Sequence, residues 1–129
     1  MATPTRVLVV EDNPLNLKLL RDVLIHAGFD VVEARSGEDG VARAMEFRPD
    51  LILMDLQLPG IDGTQAMRMI KGSPIGSDVP VVALTAFAMS EDRERALRSG
   101  FDGYLSKPIS VRDLPRRLTE FLPGRSADD

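Results

Sequence analysis

Residues with the chemistry of phosphate and metal sites follow four apolar runs of this chain. RVLVV is followed by Glu11 and Asp12, and DLILMD ends on Asp55. VPVVALT ends on Thr85, and GYLSKP brings Lys107 directly before a proline. If these runs are neighbouring parallel strands, their polar ends meet at the sheet edge where open α/β folds bind ligands. Three carboxylates, a hydroxyl and an ammonium at one place would form a binding or reaction site.

Crowded carboxylates must either keep a proton or hold a cation. Two unit charges about 4 Å apart repel by about 4 kcal/mol at an effective dielectric of about 20. Oxygen ligands without histidine or cysteine favour a hard ion, and we expect Mg²⁺ that retains several waters. A metal bridging carboxylate and phosphate would let Asp55 attack a phosphoryl group as a carboxylate nucleophile. Thr85 could then bond one phosphoryl oxygen, and Lys107 could pair with another.

Capping residues and apolar runs divide the chain into five strand–helix pairs. The predicted strands are RVLVV, DVVEA, LILM, VPVVALTA and GYLS, and most have the continuous apolar character of strands buried on both faces. An Asn-Pro pair indicates a helix start at Asn13, and a serine indicates another at Ser90. Two capping-box patterns, Ser36 with Asp39 and Asp62 with Gln65, indicate the helix starts between them.

The last helix is predicted over roughly 111–122. Pro115 would lie inside it, where proline removes a backbone hydrogen bond and disfavours helix for the preceding residue. We therefore expect this helix to begin late or to kink. Gly103, which precedes it in the last strand, is expected to loosen that edge of the sheet.

Alternation of strands and helices with short connections requires right-handed crossovers and a parallel sheet covered on both faces. The predicted fold class is therefore α/β, with a doubly wound, five-stranded parallel sheet. Spacing alone does not fix the strand order. The order 2-1-3-4-5 is one common arrangement, and it would place Asp12 beside Asp55 at the switch point.

Length and composition are typical of one small cytoplasmic domain. The chain has 129 residues, of which 43% are hydrophobic and 28% charged, which suits a single core. A net charge of −4 argues against nucleic acid as the main partner. The lack of cysteine excludes disulfides, thiolate catalysis and cysteine metal sites. No secretion signal and no run of about 18 apolar residues is present, so we expect no membrane segment.

The strings VVEDN, LMDLQLPGIDG, ALTA and YLSKP together resemble the receiver domain of bacterial two-component response regulators. The longer strings look most like DivK-type single-domain regulators and the receivers of hybrid histidine kinases. The resemblance covers about 5–122, which we take as the domain, with short flexible termini at 1–4 and 123–129. It implies a flavodoxin-like (βα)5 receiver fold with strand order 2-1-3-4-5.

The resemblance also implies a role for each site residue. Asp55 is the phosphoacceptor, and Mg²⁺ is held by Glu11, Asp12, Asp55 and the backbone carbonyl of Gln57. Thr85 and Lys107 sense the phosphoryl group, and Tyr104 is the aromatic switch residue. In addition, the Lys107–Pro108 bond allows a cis peptide that would aim the lysine inward.

The function that follows is a stand-alone phosphorylation switch rather than an enzyme with a separate substrate. A histidine kinase or histidine phosphotransfer protein would donate to Asp55, and the domain would catalyse only its own phosphorylation and slow dephosphorylation. About seven residues follow the last predicted helix, so we expect output through contacts of the last two helices and the fifth strand. The DivK-like strings imply a role in the cell cycle or cell division.

Three alternatives stay open from the sequence. The chain could be a receiver module excised from a hybrid histidine kinase, or a pseudo-receiver that acts only as an interaction module. It could also be an aspartate-nucleophile phosphatase of the haloacid dehalogenase type, which expects a second aspartate where Gln57 stands.

Overall fold

The computed structural model of the chain describes residues 4–74, 76, 78–85, 90–107 and 112–122. Strands and helices alternate throughout this part of the chain. The strands are β1 (Arg6–Val10), β2 (Asp30–Ala34), β3 (Leu51–Asp55), β4 (Val81–Thr85) and β5 (Gly103–Ser106). The helices are α1 (Pro14–His26), α2 (Gly37–Phe47), α3 (Gly63–Lys71), α4 (Ser90–Ser99) and α5 (Leu114–Phe121).

Some predicted features fall outside the described residues. They are the cis peptide, which involves Pro108, and the terminal segments 1–4 and 123–129 apart from Pro4. The domain boundaries at 5 and 122 stay a prediction. In the part of the chain that the structure describes, no helix has both the length and the apolar character needed to cross a membrane.

The strands form one parallel sheet in the order β2-β1-β3-β4-β5, which confirms the predicted fold class and order. β1 lies between β2 and β3, so the crossovers leave it in opposite directions and create a topological switch point. Val10 pairs with Met54 across β1 and β3. The next residues along these strands, Glu11 and Asp55, therefore lie side by side.

Helices cover both faces of the sheet and form two apolar cores. One core packs α1 and α5 against alternate strand residues such as Val7 and Val9. The other packs α2, α3 and α4 against the residues between them, such as Leu8 and Val10. Burial of each such aliphatic side chain contributes about 1.5–3 kcal/mol. β3 and β4 are buried over their whole length, which explains their unbroken apolar runs.

Side-chain caps begin the helices that flank the switch point. Asn13 Oδ1 accepts hydrogen bonds from the backbone N–H groups of Leu15 and Asn16 at 3.0 and 3.1 Å. Asp62 and Gln65 form the reciprocal capping box predicted for α3. These caps fix the direction in which the chain leaves β1 and re-enters the helix layer after β3. They thereby position the loops that carry the acidic residues.

The cap of α2 is only half of the predicted capping box. Ser36 Oγ accepts from the backbone N–H of Asp39 at 3.0 Å, as expected. The carboxylate of Asp39, however, pairs with Arg43 one turn later, at 3.4 Å. An ion pair with i,i+4 spacing is a competing use for the side chain of an acidic residue in the first turn.

The last helix begins later than 111, where the sequence pattern places its start. α5 runs from Leu114 to Phe121. Pro115 therefore lies in the first turn, where its missing N–H would have no partner within the helix. The predicted loss of a backbone hydrogen bond does not occur, because the helix begins late rather than kinking.

A close contact replaces the loosening expected at Gly103. Gly103 is buried in β5, and a Cβ atom built on it would overlap the ring of Phe121 from α5. The absence of a side chain at this position lets an aromatic ring pack directly on the strand backbone. Gly103 therefore joins α5 to the edge of the sheet.

We predict that Gly103→Ala destabilises the protein by about 1–3 kcal/mol, because the added methyl group must displace the Phe121 ring. The free energy of unfolding, measured by urea denaturation, gives the effect. Phe121→Ala removes the obstructing ring, so adding Gly103→Ala in that background should cost much less. If Gly103→Ala lowers the free energy of unfolding equally in both backgrounds, the contact with Phe121 is not what excludes a side chain at this position.

Candidate functional site

The ends of β1 and β3 bring three carboxylates together. Glu11, Asp12 and Asp55 each offer one oxygen, and these atoms all lie within 4.8 Å of one another. Glu11 is fully buried and Asp55 is 4% exposed, whereas Asp12 is exposed to solvent. The cluster is therefore enclosed on the side of the sheet and open at Asp12.

Lys107 reaches this cluster from the end of β5. Its Nζ lies 2.6 Å from Glu11 Oε1 and 2.9 Å from Asp55 Oδ2. The backbone N–H of Lys107 donates to the carbonyl oxygen of Thr85 at 2.7 Å, which fixes the start of the loop after β5. One ammonium group thus serves two buried carboxylates. The sequence predicts that Lys107 belongs to the site but does not indicate its pairing with Glu11.

Backbone amides also hold both buried carboxylates. The N–H of Gln57 donates to Asp55 Oδ1 at 2.9 Å, and the N–H of Asn13 donates to Glu11 Oε2 at 3.3 Å. In each case the donor lies two residues after the acid, which is the spacing of a side-chain turn. That spacing is a signal the sequence analysis did not use. The role of Gln57 as a carbonyl ligand stays a prediction.

Gly63 allows α3 to begin directly beside the phosphoacceptor candidate. A Cβ atom built on Gly63 would overlap the backbone carbonyl oxygen of Asp55. The Gly63 N–H donates to the carbonyl of Leu56 at 3.3 Å, which closes the loop between β3 and α3. Only a residue without a side chain fits so close to the end of β3.

The protonation of Glu11 reflects the crowding of the site. Burial and, next in size, the neighbouring Asp55 carboxylate raise the pKa of Glu11 to about 7, against the opposing effect of Lys107. For Lys107, burial works against the charged form. Its bonds to Glu11 and Asp55 outweigh that cost and raise its pKa. The single ammonium therefore does not fully compensate the two buried acids.

The donor set fits a hard divalent cation. All the ligand atoms in the cluster are carboxylate oxygens, which are the ligands that Mg²⁺ prefers. The exposed position of Asp12 leaves room for water molecules, and Mg²⁺ usually retains several of them. A cation at this place would also relieve the repulsion that raises the pKa of Glu11.

The two predicted switch residues lie on one face of the sheet. Thr85 ends β4 and is 1% exposed. Ala83, two residues earlier and therefore on the same face, pairs in register with Tyr104 of β5. Tyr104 is partly buried against the core beneath α2, α3 and α4. The two residues therefore occupy diagonal positions on neighbouring strands.

Comparison with known proteins identifies the family. The family model named response regulator receiver domain matches residues 7–119. The chain belongs to the response regulator receiver domain family. It is 45% identical over 119 residues to the polar-differentiation response regulator DivK of Brucella anthropi, covering 92% of this chain and 97% of that protein. The same regulator of Brucella ovis is 46% identical over 116 residues, covering 90% and 94%. The predicted resemblance is confirmed.

Solved structures of other receiver proteins share the fold. The chemotaxis response regulator CheY4 of Vibrio cholerae has a TM-score of 0.88 at 26% identity, covering 93% of this chain and 100% of that one. The receiver domain of sensor histidine kinase PA1611 from Pseudomonas aeruginosa has a TM-score of 0.85 at 39% identity, covering 92% and 98%. That receiver domain is described with a magnesium ion coordinated in the active site cleft.

We predict that the metal-free receiver loses stability as the pH rises from about 5 to about 7. Glu11 has a pKa of about 7 in the folded state against 4.5 ordinarily, so folding favours its protonated form. The stabilisation is complete below 4.5 and is lost as the pH rises through 7. The expected loss is on the order of 1–3 kcal/mol.

Urea denaturation in EDTA at several pH values measures this loss. Glu11→Gln has no proton to release, so its stability should vary less over the same range. The difference between the two proteins isolates Glu11 from the other carboxylates. Parallel stability curves for the wild type and the variant would contradict the assignment.

Proposed function

We propose that this receiver domain is a stand-alone phosphorylation switch in which Asp55 is the phosphoacceptor. The observation that carries the proposal is the buried Asp55 carboxylate, held by Lys107 and flanked by Glu11 and Asp12 at the switch point. A carboxylate held in this way is oriented for reaction and has compensating charge close by. The donor would be a phosphohistidine of a histidine kinase or of a histidine phosphotransfer protein.

The transfer is a displacement at phosphorus. The Asp55 carboxylate forms a new O–P bond, and the P–N bond of the phosphohistidine breaks. The imidazole leaves with the bonding electron pair, and its nitrogen takes up a proton from solvent. The product is an acyl phosphate on Asp55. Lys107 pairs with a phosphoryl oxygen, and the hydroxyl of Thr85 donates a hydrogen bond to another.

Glu11, Asp12, Asp55 and the backbone carbonyl of Gln57 would hold Mg²⁺ in this reaction. When bound, the ion would supply positive charge that compensates the charge of the phosphoryl oxygens next to the carboxylates. The chain's own groups orient the nucleophile, since the Gln57 amide fixes one oxygen of Asp55 and Lys107 fixes the other.

Phosphorylation would reach the surface through β4 and β5. A hydrogen bond from Thr85 to the phosphoryl group would draw Thr85 towards the site and leave space that Tyr104 can fill. The surface of α4, β5 and α5 would then change its affinity for a target protein. A differential stabilisation of about 1–3 kcal/mol is enough for such a shift. The relatives named for polar differentiation support a target in a cell-cycle or cell-division pathway.

The alternatives have less support. The DivK relatives are 45% and 46% identical to this chain, which supports a regulator of the DivK type over a module of a hybrid kinase. An aspartate-nucleophile phosphatase needs a second acid two residues after its nucleophile. Gln57 stands there, and its side-chain amide is not an acid. Its backbone N–H donates a hydrogen bond to Asp55.

We predict that Asp55→Asn abolishes phosphorylation. Acetyl phosphate with Mg²⁺ should add one phosphoryl group to the wild type, seen by mass spectrometry as a single mass shift. The variant should show labelling at background, because an amide oxygen is a poor nucleophile. Asp22→Asn, an exposed substitution on α1, is the matched control and should label as the wild type does. Undiminished labelling of Asp55→Asn would contradict the proposed phosphoacceptor.

We predict that Asp12→Ala weakens Mg²⁺ binding by about tenfold while leaving the stability of the metal-free protein unchanged or higher. The substitution removes a ligand, and it also removes a negative charge from a crowded cluster. Isothermal titration with MgCl₂ and urea denaturation in EDTA give the two quantities. Asp22→Ala controls for the loss of a surface charge. A destabilised metal-free protein with intact Mg²⁺ affinity would instead make Asp12 a structural residue.

We predict that Thr85→Ala still accepts phosphate but transmits little change to α4, β5 and α5. Amide NMR shifts of residues 90–122, before and after acetyl phosphate treatment, measure the response. Asp55→Asn treated in the same way gives the unphosphorylated baseline. If the phosphorylated variant shifts as the phosphorylated wild type does, Thr85 is not part of the signalling route.

A further inference from the structure

The β3–α3 loop (56–62) carries Gln57, whose backbone N–H holds Asp55. Hydrogen bonds fix both ends of this loop, since its first residue donates to a carbonyl of β4 and its last residue forms the capping box of α3. Within the described part of the chain, no hydrogen bond holds residues 58–61. The middle of the loop is therefore positioned by packing.

The first turn of α2 lies against this part of the loop. A Cβ atom placed on Gly37 would lie 2.6 Å from two atoms of Ile61, the side-chain Cγ1 and the backbone carbonyl oxygen. The φ angle of Gly37 is outside the left-handed region, so its backbone conformation does not require glycine. Glycine is also a poor helix former. What this position provides is the absence of a side chain, which lets the loop backbone approach the helix.

A second contact joins the same two segments. Gly60 has a φ of 75°, a conformation that favours glycine. The Glu38 carboxylate lies where a side chain at this position would stand, because a Cβ atom placed on Gly60 would be 2.5 and 2.6 Å from its two oxygens. The loop thus meets α2 at two consecutive residues, Gly60 and Ile61, and each contact depends on a glycine.

We propose that Gly37 and Ile61 are positioning residues for phosphoryl transfer. Their close packing holds the β3–α3 loop where the Gln57 N–H reaches Asp55 Oδ1, at 2.9 Å. The same stretch of backbone carries the Gln57 carbonyl proposed as a ligand of Mg²⁺. Only the consequence for phosphorylation rests on the proposed function, since the position of Gln57 is a property of the metal-free protein.

Gly37→Ala should move the loop backbone as well as a side chain. One of the two overlaps is with the Ile61 carbonyl oxygen, which no rotation of the Ile61 side chain relieves. Displacing an orienting group by about 1 Å can lower a rate about a hundredfold. We therefore expect Gly37→Ala to weaken the hydrogen bond from Gln57 to Asp55, to lower the affinity for Mg²⁺ and to slow labelling by acetyl phosphate about tenfold or more.

The position of the loop is measured by amide NMR of the metal-free protein. The Gln57 amide proton should move upfield in Gly37→Ala, because its hydrogen bond to Asp55 becomes longer. Gly103→Ala is the matched control. It also adds one methyl group to a buried glycine, but it overlaps Phe121 at the start of β5, so it should leave the Gln57 amide unchanged. An unchanged Gln57 amide in Gly37→Ala, or an equal change in both variants, overturns the proposal.

Ile61→Ala provides a second variant, which decides the question if Gly37→Ala does not fold. It removes the side chain that rests on α2, so the loop should lose this contact and the Gln57 amide should move. Ile25→Ala is the same substitution at an exposed position of α1 and controls for the loss of an apolar side chain. Equal Gln57 amide shifts in Ile61→Ala and Ile25→Ala would overturn the proposal.

Isothermal titration with MgCl₂ and the rate of labelling by acetyl phosphate measure the consequence for the site. Gly37→Ala should lower both, and Gly103→Ala should lower neither at a temperature at which each variant is folded. If Gly37→Ala moves the Gln57 amide but is labelled at the wild-type rate, the positioning role is wrong. If the wild type is not labelled at Asp55 under any condition, the proposed function fails, while the Gln57 amide still decides whether α2 positions the loop.

Discussion

The ion pairs of Lys107 with Glu11 and Asp55 are the contacts on which the site depends. Two buried carboxylates at the ends of neighbouring strands would otherwise repel each other in a region with little water. Lys107 follows β5, the strand at one edge of the sheet. Its side chain passes the end of β4 to reach the ends of β3 and β1. The parallel sheet with this strand order brings all three groups to one edge. The strand order therefore determines which charged groups meet at this edge of the sheet.

This compensation is incomplete, which would favour the binding of a cation at the cluster. The raised pKa of Glu11 shows that burial and the nearby Asp55 outweigh the favourable effect of Lys107. A cation at the cluster would supply the missing positive charge, and a phosphoryl group would then have both the cation and Lys107 within reach. Strongly perturbed ionisation is typical of functional sites, because charges placed for a reaction are not optimally placed for stability.

The sequence predicts the fold and the members of the site better than it predicts their contacts. Buried parallel strands have unbroken apolar runs, so their ends, and the polar residues at them, are visible in the sequence. The pairing of Lys107 with Glu11 is not visible in the sequence, because it depends on how far the lysine side chain reaches across two intervening strands. The packing of Phe121 on Gly103 is likewise a tertiary contact, since a glycine in a strand has several meanings. The late start of α5 was visible only as a proline inside an apparent helix.

The most direct test of this account is a double-mutant cycle between Lys107 and Glu11 at pH 8 in EDTA, where Glu11 is mostly ionised. Lys107→Met should lower the free energy of unfolding, because it leaves two buried carboxylates uncompensated. In a Glu11→Gln background the same substitution should cost less, giving a coupling energy of about 0.5–3 kcal/mol between the two residues. Additive effects of the two substitutions would contradict the account, since they would show that Lys107 does not stabilise the charge of Glu11.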